Sequence, residues 1–202
     1  MSASPGMRGQ ALWLTGLIIV VCVSLGTAPV SAQDTGWEHY MAEGAKAYKN
    51  GQETDAERFY LAALKDVQNA GPEDPRLAAT LNALAVLYHA QSKYAEAEPL
   101  YQRVVKLLEQ TVGPDHPTLA TTLNNLAVVC EAQDKYTEAA PLYQRALALM
   151  ERTLGPEHPN LAATLDNYAD LLRKMQRQDE AEAAAARARA IWAKHKREPA
   201  AK

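Results

Sequence analysis

The chain has little cysteine and little phenylalanine. Its 202 residues include two cysteines, Cys22 and Cys130, and a single phenylalanine. Cys22 lies in an N-terminal apolar segment that we expect to be removed, so Cys130 would be the only thiol of the mature protein. A protein with one thiol has no internal disulfide, and packing alone must hold it together. Cys130 falls in an apolar helical pattern, which predicts a small buried residue.

Motifs of common catalytic sites are also missing. The sequence contains no nucleophile elbow, no glycine-rich phosphate loop, no HExxH and no paired CxxC. Its carboxylates stand beside Lys and Arg at helical spacing, where solvation and i,i+4 pairing explain them. We therefore predict a protein that is not an enzyme and has neither a cofactor nor a metal. The net charge of −3 argues against a general nucleic-acid binder.

The N-terminal segment, 1–32, has the features of an export signal. Arg8 supplies a short positive region, residues 11–25 form a charge-free apolar run, and residues 30–32 are small residues before a cut ahead of Gln33. An uncleaved membrane anchor is the alternative, although this run is short against the roughly 20 residues that span a bilayer. We expect an exported protein, periplasmic or secreted, with membrane anchoring as the alternative.

The most informative feature of the chain is an internal repeat. Segment 77–117 reads LAATLNALAVLYHAQSKYAEAEPLYQRVVKLLEQTVGPDHP, and segment 119–159 repeats it closely as LATTLNNLAVVCEAQDKYTEAAPLYQRALALMERTLGPEHP. A fixed period of this size is typical of stacked supersecondary units. In each copy, apolar residues at i, i+3, i+4 and i+7 stand on both sides of a short polar break. This pattern predicts two antiparallel helices joined by a tight turn.

Large and small residues alternate in a fixed order within each copy. The first helix carries a large, large, small, large set of residues, which in the first copy are Leu81, Leu84, Ala85 and Tyr88. The second helix carries tyrosine, alanine and aromatic positions, and the corresponding residues are Tyr94, Ala97, Tyr101 and Val104. This layout resembles the tetratricopeptide repeat (TPR). The 42-residue period and the linkers GPDHP and GPEHP are similar to the kinesin-light-chain subclass, which also occurs in bacterial proteins. The resemblance implies an all-α, right-handed α-solenoid of four helix-turn-helix repeats.

The four repeats fit almost the whole mature chain. We predict a signal peptide at 1–32, a short linker at 33–36, repeats at about 37–75, 76–117, 118–159 and 160–197, and a polar tail at 198–202. In each linker a glycine ends one helix and the second proline suits the first turn of the next. His116 and His158 recur in these linkers about 10 Å apart, too far to share an ion, so we predict that they cap helices.

Polar residues on the first helix of each repeat are not explained by core packing. In this class of protein the first helices line a concave groove, and the resemblance implies a partner-binding surface there. The predicted groove residues are Asn82, Val86, His89, Asn124, Val128, Glu131, Asp166, Asp170, Arg173 and Lys174. A row of Asn amides suits the backbone of an extended peptide, because each amide offers donors and an acceptor. The alternative is that Asn82 and Asn124 only bond across neighbouring first helices and stiffen the array.

The predicted function is a protein-interaction scaffold that holds a peptide or partner segment of unknown identity in this groove. Two alternatives use the same groove: a cell-envelope assembly or chaperone-like factor, and an accessory subunit of an envelope enzyme. Ile191 and Trp192 in the last helix either fold back on the first helix of the fourth repeat, which we favour, or form the edge of a homodimer.

Overall fold

The computed structural model describes residues 34–69, 71 and 74–195. The signal peptide predicted at 1–32 and the tail predicted at 198–202 lie outside these residues. Within the described part the secondary structure is α-helix and turn. None of the described helices is both long and apolar enough to cross a membrane. The chain divides into two compact units, the first ending at Gln91 and the second beginning at Ser92.

The first unit has three described helices: α1 (Asp34–Lys49), α2 (Glu53–Val67) and α3 (Pro75–Ala90). Helices α1 and α2 pack as an antiparallel pair, and α3 packs on α2. Gly44 permits the close approach of α1 to α2, since a Cβ at this position would lie 2.6 Å from the ring of Tyr60. Helix α1 already begins at Asp34, so the linker predicted at 33–36 is too long. The indole of Trp37 donates a buried 2.8 Å hydrogen bond to Thr80 and so joins α1 to α3.

The second unit has five helices: α4 (Tyr94–Thr111), α5 (Pro117–Ala132), α6 (Tyr136–Leu154), α7 (Pro159–Lys174) and α8 (Gln178–His195). The pairs α5–α6 and α7–α8 are the helix-turn-helix units predicted for the third and fourth repeats. Helix α4 packs on α5, and α6 packs on α7. The second helices α4 and α6 are therefore each covered by the first helix of the next repeat.

The joints between helices follow from local backbone chemistry. Gly155 has a φ of 92°, a left-handed conformation that ends α6 and favours glycine. Nδ1 of His116 accepts from the Thr118 N–H at 3.2 Å, and Nδ1 of His158 accepts from the Asn160 N–H at 3.1 Å. These bonds satisfy exposed amides in the first turns of α5 and α7, so the capping predicted for both histidines is confirmed.

The core of unit 2 contains the residues that the apolar pattern predicts. Tyr143 on α6 is fully buried, and Cys130 on α5 is 2% exposed. Burial raises the pKa of the Cys130 thiol to about 11, so the thiol stays protonated at neutral pH. The structure confirms Cys130 as a small buried residue, and it has no disulfide partner among the described residues.

Candidate functional site

Seven of the ten predicted groove residues lie on the two first helices of unit 2. Asn124, Val128 and Glu131 are on α5; Asp166, Asp170, Arg173 and Lys174 are on α7. The spacing i, i+4, i+7 places the members of each helix on one side of it. Because α5 and α7 are neighbours, the structure brings these two rows together.

An amide bridge connects the two helices. Nδ2 of Asn167 donates to Oδ1 of Asn124 at 3.4 Å, and Nδ2 of Asn124 donates to Asn125 at a similar distance. The bond across the helices is the stiffening role that the sequence left open for Asn124. These bonds are long, and a peptide amide or carbonyl at about 2.9 Å would be a better partner. Asn167 itself was missed, although the pair Asn124–Asn125 recurs as Asp166–Asn167 in the next copy.

Glu131 and Lys174 form part of the joint between the third and fourth repeats. Glu131 accepts a 2.8 Å hydrogen bond from the hydroxyl of Tyr143 and lies 2.9 Å from Nζ of Lys174, and its side chain is only 12% exposed. Lys174 also lies over the ring of Tyr136. Burial alone would lower the pKa of Lys174, but the hydrogen bond and charge of Glu131, together with the nearby Tyr136 and Asp170, outweigh burial and raise that pKa. Each charge thus has a partner within the fold, and the assignment of Glu131 and Lys174 as partner-binding residues stays a prediction.

The remaining α7 residues stay exposed to solvent. Asp170 and Arg173 form a 2.5 Å ion pair with side chains 66% and 40% exposed. Exposed i,i+3 pairs of this kind contribute about 0.3–0.5 kcal/mol, so a charged partner can displace either member at small cost. Asp166 is also exposed and accepts a 2.9 Å hydrogen bond from the indole N–H of Trp192 on α8. Ile191, one residue before, is 4% exposed, so the end of α8 folds back on its own repeat as favoured above.

The three predicted residues of unit 1 lie on α3 and differ in accessibility. Val86 is 7% exposed and belongs to the core, which corrects its assignment to the groove. The reason is that α3 is apolar around most of its circumference, so spacing alone did not identify the open side. His89 is half-buried, and burial lowers its pKa, which keeps the ring neutral at pH 7. Asn82 is half-buried, and within the described part of the chain its Oδ1 accepts no hydrogen bond.

One cluster has the residue types of a metal site. Ligand atoms of Glu98, Cys130 and Glu138 lie within 4.8 Å of one another. Glu98, however, already accepts hydrogen bonds from Lys135 at 2.6 Å and Gln133 at 2.7 Å. Burial by itself would raise the pKa of Glu98, but these bonds outweigh it and hold the pKa below its usual value. The carboxylate is neutralised by Lys135, so the cluster is a joint between α4 and the α5–α6 turn.

The protein-family model described as Tetratricopeptide repeat matches residues 44–110, 85–152 and 118–194. These matches cover more than half of the chain. The chain belongs to the tetratricopeptide repeat family. No curated protein matches this TPR chain.

Solved structures show the same fold. BtubC (BKLC) from P. vanneervenii is 23% identical with a TM-score of 0.75, covering 87% of this chain and 70% of that one. The nearly identical TPR-like repeats of a kinesin-light-chain-type protein from Podosopora anserina are 25% identical with a TM-score of 0.65, covering 92% and 86%. RapI in its apo form is 16% identical with a TM-score of 0.74, covering 83% and 60%. The predicted fold class, an all-α array of TPR helix-turn-helix units, is confirmed, and with it the general character of a protein-interaction scaffold.

Proposed function

We propose that this TPR protein is a non-catalytic scaffold that binds an extended peptide segment along the first helices of unit 2. The observation that carries the proposal is a polar surface whose side chains make only long or exposed contacts within the fold. Asp170 and Arg173 are exposed and, among the residues that the structure describes, pair only with each other, and Asn124 is half-buried with long hydrogen bonds. Residues with unused hydrogen-bonding capacity on a rigid helical scaffold are typical of binding surfaces.

The proposed peptide is held by two kinds of contact. The amides of Asn124 and Asn167 lie side by side on α5 and α7 and present donors and acceptors to a peptide backbone. One turn further along α7, Asp170 and Arg173 release each other and bind charged groups of the peptide. These contacts fix the direction in which the peptide lies. The ion pair of Glu131 with Lys174 joins α5 to α7, and the hydroxyl of Tyr143 on α6 donates to the same carboxylate.

The experiment begins with a displayed library of random peptides selected on the purified chain. One selected peptide, carrying a fluorophore, is then titrated against the wild type and two variants, Asn124→Ala and Arg173→Ala. We expect Asn124→Ala to weaken binding about tenfold, the usual effect of losing one or two hydrogen bonds at a binding surface. Asn82→Ala is titrated alongside and combined with Asn124→Ala, since Asn82 is the equivalent residue of the preceding copy.

The matched control is Asp179→Asn, a polar change at an exposed position of α8. Circular dichroism should show the same helix content in every variant. If the selected peptide binds wild type, Asn124→Ala and Arg173→Ala with equal affinity, the proposed surface is not the binding site.

We also propose that residues 1–32 direct export and are then removed, which places the scaffold in the periplasm or outside the cell. The charged start, the apolar run and the small residues before Gln33 support this proposal. Intact-mass analysis of the protein produced in a bacterial host should give an N-terminus at Gln33. A protein that keeps Met1 and sediments with membranes would favour the anchored alternative.

A further inference from the structure

The outer side of the third repeat shows how one repeat receives the next. Met150 on α6 is 2% exposed, and its sulfur lies 3.3 Å from the hydroxyl of Thr164 on α7. Asn124 on α5 meets Asn167 on α7. Contact with a following first helix therefore involves one apolar residue late in the second helix and one uncharged amide in the first.

The fourth repeat differs at both of these positions. One repeat period further along the chain, Trp192 corresponds to Met150 and Asp166 to Asn124. Instead of meeting another helix, Trp192 donates its indole N–H to Asp166 at 2.9 Å, which joins α8 to α7 across the outer side of the repeat. The indole is bulkier than methionine and remains half-buried. In the third repeat this surface binds the first helix of the following repeat. In the fourth repeat the side chain of Trp192, from the same repeat, lies on it.

Two more positions of this outer face become charged only in the fourth repeat. Asp170 stands where the two preceding copies have Val86 and Val128, and Arg189 stands where they have Val105 and Leu147. Val128 and Leu147 are half-buried in the third repeat, whereas Asp170 and Arg189 are exposed. A helix stacked on the fourth repeat would remove Arg189 and the Asp170–Arg173 ion pair from water, and this loss of hydration is unfavourable.

We propose that the outer face of the fourth repeat is a closed end. Trp192 bonded to Asp166 covers the place of a following first helix, and the charges of Asp170 and Arg189 prevent another helical repeat, from a second copy or from a partner, from stacking there. Another helical repeat is consequently excluded from this face, whereas an extended peptide can still bind the polar side of α5 and α7.

The test converts this end into an internal one. The variant Asp166→Asn, Asp170→Val, Arg189→Leu, Trp192→Met carries the residues of the third repeat at all four positions. Exposing an apolar face of this kind favours self-association, most simply face to face. We expect the wild type to remain a monomer from 1 to 100 μM in sedimentation equilibrium and the variant to form dimers within that range. No peptide is present, so the result is independent of the proposed function.

A control variant carries third-repeat residues at positions of α8 that are exposed in both repeats: Asp179→Thr, Ala193→Glu and Lys194→Arg. It should stay monomeric. A wild type that dimerises and loses the dimer on Trp192→Glu would overturn the proposal, as would a folded four-residue variant that remains monomeric at 100 μM. Should that variant fail to fold, Arg189→Leu with Trp192→Met leaves α7 unchanged and must show the same association at higher concentration for the proposal to stand.

Discussion

The third and fourth repeats share one backbone plan but use different side chains to hold it. In the third repeat the second helix packs through Tyr143, which is fully buried, while the equivalent residue of the fourth repeat is Ala185. Both repeats form the same helical pair and the same tight turn, with Asp134 and Gln176 each near a φ of 60°. Helix formation and turning are therefore encoded in common positions, and the varying positions determine what each repeat contacts next.

Surface ion pairs also recur at equivalent positions of successive repeats. Arg145 on α6 pairs with Glu109 on α4 at 2.6 Å, and one repeat later Arg187 on α8 pairs with Glu151 on α6 at 2.7 Å. One period after Glu151, the position of the next acid in this series of ion pairs is occupied by Ala193. These ion pairs thus connect successive second helices, and the series ends on α8, the helix that also carries Trp192. This agrees with a closed end.

The largest expected effect comes from truncating the residue that most distinguishes the two repeats. Tyr143→Ala removes a fully buried ring and leaves Glu131 without its hydroxyl donor, so we expect it to lower the free energy of unfolding by about 3–5 kcal/mol. At the same position of the fourth repeat, Ala185→Gly removes one methyl group and should cost about 1 kcal/mol. Urea unfolding at pH 7, followed by circular dichroism, measures both.

Tyr143→Phe separates the ring from its hydroxyl. We expect a loss of about 1.5–3 kcal/mol, since one hydrogen bond to a charged carboxylate is removed while the packing is kept. Equal losses for Tyr143→Ala and Ala185→Gly would mean that the two repeats are stabilised in the same way, and the comparison would be wrong.

A second prediction concerns Glu98, which joins α4 to the α5–α6 turn. The third repeat has Ala140 at the equivalent position. The pKa of Glu98 is held below its usual value by Lys135 and Gln133, so the carboxylate stabilises the fold above about pH 4.3, the value in an unfolded chain. This contribution is lost as the pH falls through the lower, folded pKa. We expect Glu98→Gln to cost about 1–2 kcal/mol at pH 7 and progressively less towards pH 3.

Thermal unfolding of the wild type and Glu98→Gln between pH 3 and pH 7 measures this convergence. The control is Glu138→Gln, a carboxylate of the same cluster that is exposed. At pH 7 its difference from the wild type should be smaller than that of Glu98→Gln, because Glu138 is exposed. A Glu98→Gln difference that stays constant over the whole range would show that ionisation of Glu98 does not stabilise the joint.

Most of the fold could be predicted from the sequence because it depends on patterns of residues that are close together in the chain. The repeat period, the apolar spacing and the Gly-Pro linkers determine helices, turns and their order, and the capping roles of His116 and His158 follow from the same local logic. The buried Cys130 follows from the apolar stripe.

The candidate site was only partly predictable, because it depends on pairs of residues far apart in sequence. Glu131 and Lys174 look like separate helix charges in the sequence, and only the structure shows that they pair with each other. Val86 has the spacing of a groove residue but lies in the core, and Asn167 acquires a role only through contact with Asn124. Spacing identifies the face of one helix, and it does not identify the neighbour that covers that face.

The smallest expected effect compares the two tight turns. Asp134 and Gln176 both have left-handed backbones, which cost a residue with a side chain about 1 kcal/mol or more, whereas glycine adopts them freely at some entropic cost. Asp134 recovers part of this cost, because its carboxylate accepts a 2.5 Å hydrogen bond from Tyr136, and Gln178 at the equivalent place of the fourth repeat has no hydroxyl to donate. Gln176→Gly should therefore raise the free energy of unfolding by about 0.5 kcal/mol, while Asp134→Gly should leave it unchanged or lower it. Urea midpoints of the two variants measure the difference, and a larger gain at Asp134 would show that the bond to Tyr136 contributes nothing to the turn.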